Sequence, residues 1–195
     1  IENSTIKTIK NSDCHFAYRN SIFKGEARGK YVIISTTLRL SKDRPFIPNY
    51  PGVKKYFLEN NINNPTLKQI REAIIDIRRN KLPDPKEVAN NGSFFANPIV
   101  SKAKYDTIKL KHDNVPGWPT SDGKVKIPAA WLIEKVGFKN FHDKKTGMAT
   151  WHLQPLVLIN EKATHTADLI QFRDRIIKDV QLTFGITLEQ EPELI

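Results

Sequence analysis

The sequence of 195 residues is poor in cysteine and contains no long apolar run. Its one cysteine, Cys14, excludes an intrachain disulfide framework and a multi-cysteine metal site, and it favours a reducing, cytoplasmic compartment. No apolar run approaches the roughly 18 residues of a transmembrane helix, so we expect no membrane insertion. The chain begins at Ile1 rather than Met, and we expect no signal peptide and an upstream segment that has been removed.

Standard enzyme motifs are also missing. The sequence has no glycine-rich dinucleotide fingerprint, no phosphate-binding P-loop, no zinc-protease motif and no serine nucleophile elbow. Its five histidines are scattered without the spacing of metal ligands. We therefore expect no metal site, and a functional site must be sought in less specific patterns.

Positive charge is abundant and unevenly distributed. The net charge is +10, and residues 1–81 carry 16 Lys and Arg against 7 Asp and Glu. A basic half indicates a polyanionic partner, either nucleic acid or a phosphorylated small molecule. Because the basic residues are dispersed and no RNA-binding aromatic motif accompanies them, a solvated basic surface is favoured over a nucleic-acid site.

The amino-terminal half predicts a strand, a connection and a helix. Residues 30–40 are rich in β-branched and aromatic side chains and predict a strand. Residues 41–64 contain three prolines and predict a connection at a domain junction. Thr66 and Gln69 form a capping-box pattern that begins a helix. We expect its buried face to carry an apolar stripe, Leu67, Ile70, Ile74 and Ile77.

The carboxyl-terminal half alternates helices and strands, which predicts an α+β fold. The expected elements are a polar loop at 86–98, a short helix at 128–136, a buried strand at 156–159, a long helix at 166–184 capped by Gly185, and an extended segment at 186–195.

The loop at 86–98 is the first candidate for chemistry. Ser93 follows Gly92 behind a helix with a basic end, and loops of this kind carry functional groups on rigid scaffolds. The simpler interpretation is an ordinary turn anchored by Phe94 and Phe95, and the spacing alone favours it.

Two further segments are candidates. Alternation places Glu189, Glu191 and Glu193 on one face of the final segment, although a solvated terminus explains the pattern equally simply. In residues 18–24, Tyr18, Arg19 and Lys24 could grip phosphate, or they could be surface residues on a turn.

Taken in order, these segments resemble the UDP-N-acetylenolpyruvoylglucosamine reductase family, flavoenzymes of peptidoglycan precursor synthesis. The resemblance covers essentially the whole chain. The matching motifs are YRNSIFK at 18–24, KLPDP at 81–85, GSFF at 92–95 followed by NP at 97–98, AWLI at 130–133, LVLIN at 156–160 and LEQE at 188–191.

The resemblance implies a domain organisation. Residues 1–45 correspond to the carboxyl-terminal remnant of an α+β flavin-binding domain, residues 55–185 to an α+β substrate-binding domain, and residues 186–195 to a terminal strand that returns to the active site. The region that supplies most FAD contacts and one catalytic arginine lies outside this sequence. We therefore expect these 195 residues alone to be inactive.

The resemblance also implies a reaction and its catalytic residues. NADPH reduces FAD, and hydride then passes to the enolpyruvyl group of UDP-N-acetylglucosamine-enolpyruvate. Ser93 matches the family's proton donor, which protonates the resulting enolate carbon. Glu191 matches the glutamate that stabilises the enolic carboxylate, and Lys81 matches a lysine that favours its negative charge.

The remaining implied contacts concern substrate and cofactor. The expected substrate-binding residues are Tyr18, Asn97, Trp118, Lys126, Lys139 and Gln154, and Arg78 is a candidate cofactor contact. Trp118 replaces a usual tyrosine, and Trp151 takes a place often held by histidine. We expect a cytoplasmic monomer without nucleic acid. The alternative is a standalone module that binds a nucleotide sugar or nucleic acid through the basic half.

Overall fold

The computed structural model describes residues 5–42 and 50–193. The chain divides into two compact units, Ile1–Arg44 and Pro45–Ile195. Within the described ranges, no helix combines the length and apolar character needed to cross a bilayer. The domain boundaries implied by the resemblance stay predictions.

The first unit has little regular secondary structure. It contains two short 3-10 helices, Asn11–Cys14 and Ile22–Lys24, which flank one isolated backbone bridge between Ala17 and Asn20. Its buried apolar residues in the described part are Cys14 and Ala27. Tight turns rather than an apolar core therefore organise this unit.

The strand predicted at residues 30–40 is wrong. Residues 31–42 have no regular secondary structure, and the side chains of Val32, Ile33 and Ile34 are 61–69% exposed. Strand propensity reflects the fit of a side chain to a half-buried pleated surface, and a strand needs a neighbour for its backbone groups. No described segment of this chain provides that neighbour.

The second unit begins with two packed helices, α1 (Pro51–Glu59) and α2 (Leu67–Arg79). The segment at 41–64, predicted as a connection, therefore contains a helix, and Pro51 occupies its first turn, where no backbone donor is needed. Residues 43–49 of that segment lie outside the described residues. Val53, Phe57 and Ala73 form a small core between the two helices.

Helix α2 begins as predicted but buries a different stripe. The Gln69 backbone N donates to Thr66 Oγ1 at 3.2 Å, and the Thr66 N donates to Gln69 Oε1 at 2.9 Å, which completes the capping box. Ile70 and Ile77 pack on the core beside the buried Ala73, whereas Leu67 and Ile74, the other two predicted members, are 69% and 39% exposed. Leu67 is the first helical residue, and the partner helix does not cover it.

The same two helices share a polar contact. Tyr56 Oη donates to Asp76 Oδ2 at 3.0 Å. This hydrogen bond to the carboxylate raises the pKa of Tyr56, because loss of the phenolic proton would place two negative charges side by side. The contact links the middle of α1 to the last turns of α2.

The main sheet is antiparallel, with the strand order β1-β7-β6-β5. Its strands are β1 (Asn90–Ser93), β5 (His142–Asp143), β6 (Met148–Trp151) and β7 (Gln154–Asn160). A smaller sheet has the order β2-β4-β3, with β2 (Ile99–Val100), β3 (Trp118–Pro119) and β4 (Val125–Lys126). The remaining helices are α3 (Lys102–Lys111), α4 (Ala129–Lys135) and α5 (Thr166–Phe184).

Strand β7 is the centre of the unit because both of its faces are buried. Leu156 and Leu158 belong to the large core beneath α4 and α5, whereas Val157 and Ile159 face a second cluster with Leu82, Val88 and Trp151. Alternate side chains of a strand point to opposite faces, so the continuous apolar run serves two cores. The helices and antiparallel sheets confirm an α+β fold.

Helix α5 matches its predicted bounds. Phe172, Ile176 and Val180 are fully buried on its inner face, and Gly185 ends it with a φ of 60°. The left-handed conformation favours glycine and turns the chain back toward the sheet. The two long helices, the short helix and the buried strand were predicted from the sequence, whereas α1, α3 and β1 were not.

We expect Ile176→Ala to destabilise the fold by about 2–5 kcal/mol, because it leaves a cavity among fully buried side chains. Leu182→Ala is the matched control on the same helix, since Leu182 is 73% exposed, and its effect should stay within about 0.5 kcal/mol. Urea unfolding of both variants measures the difference. Equal midpoints would contradict the assigned buried face of α5.

Candidate active site

Ser93 and Glu191 lie on neighbouring backbone segments. Ser93 is the last residue of β1 and pairs with Val157, and its side chain is exposed. The backbone N of Phe94 donates to Leu156 O at 2.7 Å, and the N of Glu191 donates to Phe94 O at 2.8 Å. A single backbone hydrogen bond therefore joins Glu191 to the residue that follows Ser93.

The carboxyl-terminal segment continues this pairing. Phe95 and Gln190 form an antiparallel bridge, and the N of Ala96 donates to Glu189 O at 2.9 Å. Ile186 and Leu188 are buried in the large core, as the predicted alternation requires. The Phe95–Gln190 pair is an isolated bridge rather than part of a regular strand, Glu191 and Pro192 lie in a bend, and residues 194–195 lie outside the described part of the chain.

A bulge in β1 sets the direction of Ser93. The register between β1 and β7 shifts between Asn90 and Ser93, and Gly92 has a φ of 77°. Asn90 Oδ1 accepts from the Gly92 N at 2.9 Å, while its Nδ2 donates to Val88 O at 2.7 Å. Glycine is favoured at this φ, and bulges commonly redirect a side chain beside an active site.

Lys81 is attached to the sheet through a tryptophan. It follows α2, and its backbone carbonyl accepts from Trp151 Nε1 at 3.0 Å. Trp151 pairs with Gln154 where β6 turns into β7, whereas Ser93 pairs with Val157, the middle residue of β7. Leu82, the next residue, packs with Trp151 against the cluster that contains Val157, so Lys81 is linked through this cluster to the strand that pairs with Ser93.

The small sheet carries two further predicted residues, Trp118 and Lys126, and a third, Asn97, lies just before its first strand. Lys126 pairs with Trp118 across the two strands, and its Nζ lies 5.5 Å from the Trp118 ring centroid. Asn97 directly follows the residue that bonds to Glu189, and its Oδ1 accepts from the Ala129 N at 2.9 Å. Asn97 thereby satisfies one backbone donor at the beginning of α4.

The turn that aligns Trp118 with Lys126 is held by an acidic side chain. Asp122 accepts from the Thr120 hydroxyl at 2.5 Å and lies 3.0 Å from Lys124 Nζ. The hydroxyl donor and the ammonium group lower the pKa of Asp122 to about 2, because both stabilise its charged form. The turn therefore keeps these contacts at neutral pH.

The described contacts do not bring the remaining predicted residues to Ser93. Lys139 forms an ion pair with Glu134 at 2.8 Å on an exposed loop after α4. Arg78 is exposed in the last turn of α2, where its carbonyl accepts from the Lys81 N. Tyr18 belongs to the other unit and is 47% exposed. Their roles stay predictions.

The described residues contain no candidate metal-binding site. No three His, Cys, Asp or Glu side chains gather there as metal ligands would. The polar groups on the segments described above are a hydroxyl, a carboxylate, lysines and amides. This set suits proton transfer and binding of an anion.

The part of the chain that carries Ser93 and Glu191 matches a known protein family. Residues 84–195 match the sequence model of the UDP-N-acetylenolpyruvoylglucosamine reductase, C-terminal domain. The chain belongs to this family. The resemblance noted in the sequence is thus confirmed, and the matched region contains Ser93, Glu191 and the whole main sheet.

Individual relatives extend the match to the whole chain. The UDP-N-acetylenolpyruvoylglucosamine reductase of Flavobacterium johnsoniae is 40% identical over 197 residues, covering 100% of this chain and 58% of its own length. The Porphyromonas gingivalis reductase is 38% identical, covering 97% and 55%. The Pseudomonas syringae pv. tomato reductase is 38% identical, covering 99% and 56%. The chain thus spans a little over half the length of these relatives.

Sequence reasoning missed the residues that hold the site together. Asn90 orients the bulge, Trp151 holds the Lys81 carbonyl, and Arg173 donates to Gln190. The Asn-Asn-Gly-Ser run signalled a special turn, but a tryptophan that bonds a carbonyl 70 positions away leaves no local pattern.

We expect Gly92→Ala to destabilise the fold by about 1–2 kcal/mol, since an alanine in the left-handed region is strained even where space is open. Asn91→Ala is the control next to it, because Asn91 is exposed, and it should change the free energy of unfolding by less than about 0.5 kcal/mol. Urea unfolding tests both. If Gly92→Ala leaves the free energy of unfolding unchanged, the left-handed conformation of residue 92 does not hold the bulge beside Ser93.

Proposed function

We propose that the chain is the carboxyl-terminal part of a reductase of this family. The complete enzyme uses NADPH and FAD to convert UDP-N-acetylglucosamine-enolpyruvate to UDP-N-acetylmuramate in cytoplasmic peptidoglycan synthesis, as a monomer that needs neither membrane insertion nor nucleic acid. The observation that carries the proposal is the hydrogen bond from the Glu191 N to the Phe94 O beside Ser93, in a chain of this family.

Ser93 acts as the proton donor. Its exposed hydroxyl lies at the end of β1, where a substrate can reach it, while its backbone is fixed by pairing with β7. A serine hydroxyl is a weak acid, but an enolate carbon is a strong base, so a positioned hydroxyl suffices for the transfer. The rigid strand supplies the position and the bulge supplies the direction.

Glu191 and Lys81 act on the substrate carboxylate. Glu191, half-buried beside Phe94, shares a proton with the enolic carboxylate as negative charge develops there. Lys81 contributes a positive charge from a segment whose backbone is held to β6 by the Trp151 hydrogen bond. The two side chains thereby stabilise the additional negative charge that the intermediate carries and the bound substrate does not.

Positively charged and hydrogen-bond donor side chains hold the nucleotide part of the substrate. Lys126 carries the charge that suits a diphosphate, and Trp118 offers an exposed aromatic face beside it. Asn97 commits its amide oxygen to the Ala129 N, so its amide nitrogen is the group that it offers to a ligand. Lys139, Gln154 and Tyr18 complete the proposed set.

The residues present also fit an anionic flavin nucleotide. Arg78 and Arg79 are exposed at the end of α2, with Asn80 between them and Lys81, and cations there suit a pyrophosphate. Bound FAD would supply the hydride. Arg78 would contact it from this chain, and other contacts are assigned to the part of the enzyme outside these residues.

The alternative of a standalone nucleotide-sugar or nucleic-acid module is not favoured. The Flavobacterium johnsoniae relative, whose match covers the whole chain including the basic residues 1–81, is named as a reductase. A polyanion-binding surface is instead assigned to the UDP-sugar and the two dinucleotides.

The proton-donor role is tested in the full-length enzyme by Ser93→Ala. We expect the rate of product formation to fall by about 10²–10⁴-fold, while NADPH still bleaches the flavin at an unchanged rate. Ser101→Ala is the matched control, since its hydroxyl caps α3 by accepting from the Lys104 N and has no assigned role in the reaction. Stopped-flow absorbance separates the two half-reactions. Normal turnover by Ser93→Ala would refute the role.

The need for residues outside this chain is tested with the 195-residue chain alone. We expect no NADPH oxidation that depends on the UDP substrate, because the FAD contacts are assigned elsewhere. The full-length enzyme assayed in parallel is the control. Turnover by the short chain above the no-enzyme rate would show that these residues hold a complete site.

A further inference from the structure

Arg173 lies on α5, far from Ser93 in the sequence, yet it contacts the segment that carries Glu191. Its Nη1 donates to Gln190 Oε1 at 2.7 Å, and its side chain is only 18% exposed. Its other nitrogens are held by Asp174, with Nε at 2.8 Å and Nη2 at 2.7 Å from Oδ1. The guanidinium is therefore fixed on one side by its own helix and reaches Gln190 with the other.

The Gln190 side chain contacts both Arg173 and the backbone of Pro192, the residue after Glu191. Its Nε2 donates to the carbonyl of Pro192 at 2.9 Å, so its side chain spans the backbone of Glu191. Its own backbone forms the bridge with Phe95, which is 1% exposed. Glu191 thus sits between two residues that one amide side chain ties together, and its own N is held by Phe94 O.

The helix that carries Arg173 is a rigid platform. Phe172, the preceding residue, and Ile176, one turn later, are both fully buried in the large core. A hydrogen bond from a charged donor is stronger than one between neutral groups, and a forked guanidinium fixes orientation as well as distance. The contact therefore adds a link to the core beyond Leu188, the last buried anchor of the segment, at the residues that flank Glu191.

We propose that Arg173 is a positioning residue for Glu191, acting through the side chain of Gln190. The proposal rests on the proposed function, because it matters only if the Glu191 carboxyl acts on the substrate. Arg173 has no proposed contact with the substrate. It holds the two residues flanking Glu191 so that the carboxyl meets the developing enolate, and misplacement by about 1 Å can cost about 100-fold in rate.

The test is Arg173→Met in the full-length enzyme, with Arg173→Lys as the conservative variant. We expect Arg173→Met to lower the kcat for substrate reduction by about 10–100-fold with a smaller change in KM and no change in flavin reduction by NADPH. Arg173→Lys, which keeps the charge but not the fork, should recover part of that loss. Gln190→Met should match Arg173→Met, and combining the two should add little.

Arg175→Met is the matched control on the same helix. Arg175 stacks on Phe138 and Phe141 and lies 3.7 Å from Asp143, so its loss should lower stability but leave kcat unchanged. If Arg175→Met lowers kcat as much as Arg173→Met does, the effect is general destabilisation and the positioning role is wrong.

Glu191→Gln separates this inference from the proposed function. In that background Arg173→Met should have almost no further effect on kcat, because the carboxylate that it positions is already absent. A full additional loss would overturn the positioning role. If Glu191→Gln alone is as active as the parent enzyme, the proposed function of Glu191 fails. If Glu191→Gln is impaired while Arg173→Met is normal, only the inference about Arg173 fails.

Discussion

Two backbone hydrogen bonds tie the carboxyl-terminal segment to the end of β1, and the candidate site depends on them. The Glu191 N donates to Phe94 O, and the Ala96 N donates to Glu189 O. Each such bond contributes only about 0.5–1.5 kcal/mol net, so two of them alone would hold the segment weakly. Buried anchors on one side, Ile186 and Leu188, and the Gln190 side chain on the other supply what the backbone bonds lack.

Strand β7 explains why the site can be both rigid and open. Its side chains alternate between two apolar clusters, so its backbone is covered on both faces and cannot shift register without moving every side chain to the wrong core. Ser93 pairs with this strand while its own side chain remains exposed. The apolar burial that stabilises the fold and the exposure that catalysis needs therefore belong to neighbouring strands.

The sequence predicted elements whose signals are local. The capping box of Thr66 and Gln69 and the glycine after α5 act within a few residues, so their patterns sufficed. Ser93 and Glu191 were paired only through the family resemblance, because no spacing rule relates positions nearly a hundred residues apart. The 86–98 segment reads as a polar loop, yet Asn90–Ser93 becomes a strand because β7 supplies a partner. The reverse applies at 30–40, where propensity without a described partner gives no strand.

The exposed segment at 31–42 follows the same rule as the site. Its apolar side chains include Leu38 and Leu40, which are 73% and 80% exposed, and large apolar groups in one run are unfavourable in water unless another surface covers them. The chain spans little more than half the length of its relatives, and within the described residues no surface of the first unit covers this run. Pairing decides the structure of both segments. Where a described strand supplies the partner, a polar run becomes a strand, and where the described residues supply none, a run of β-branched residues stays exposed.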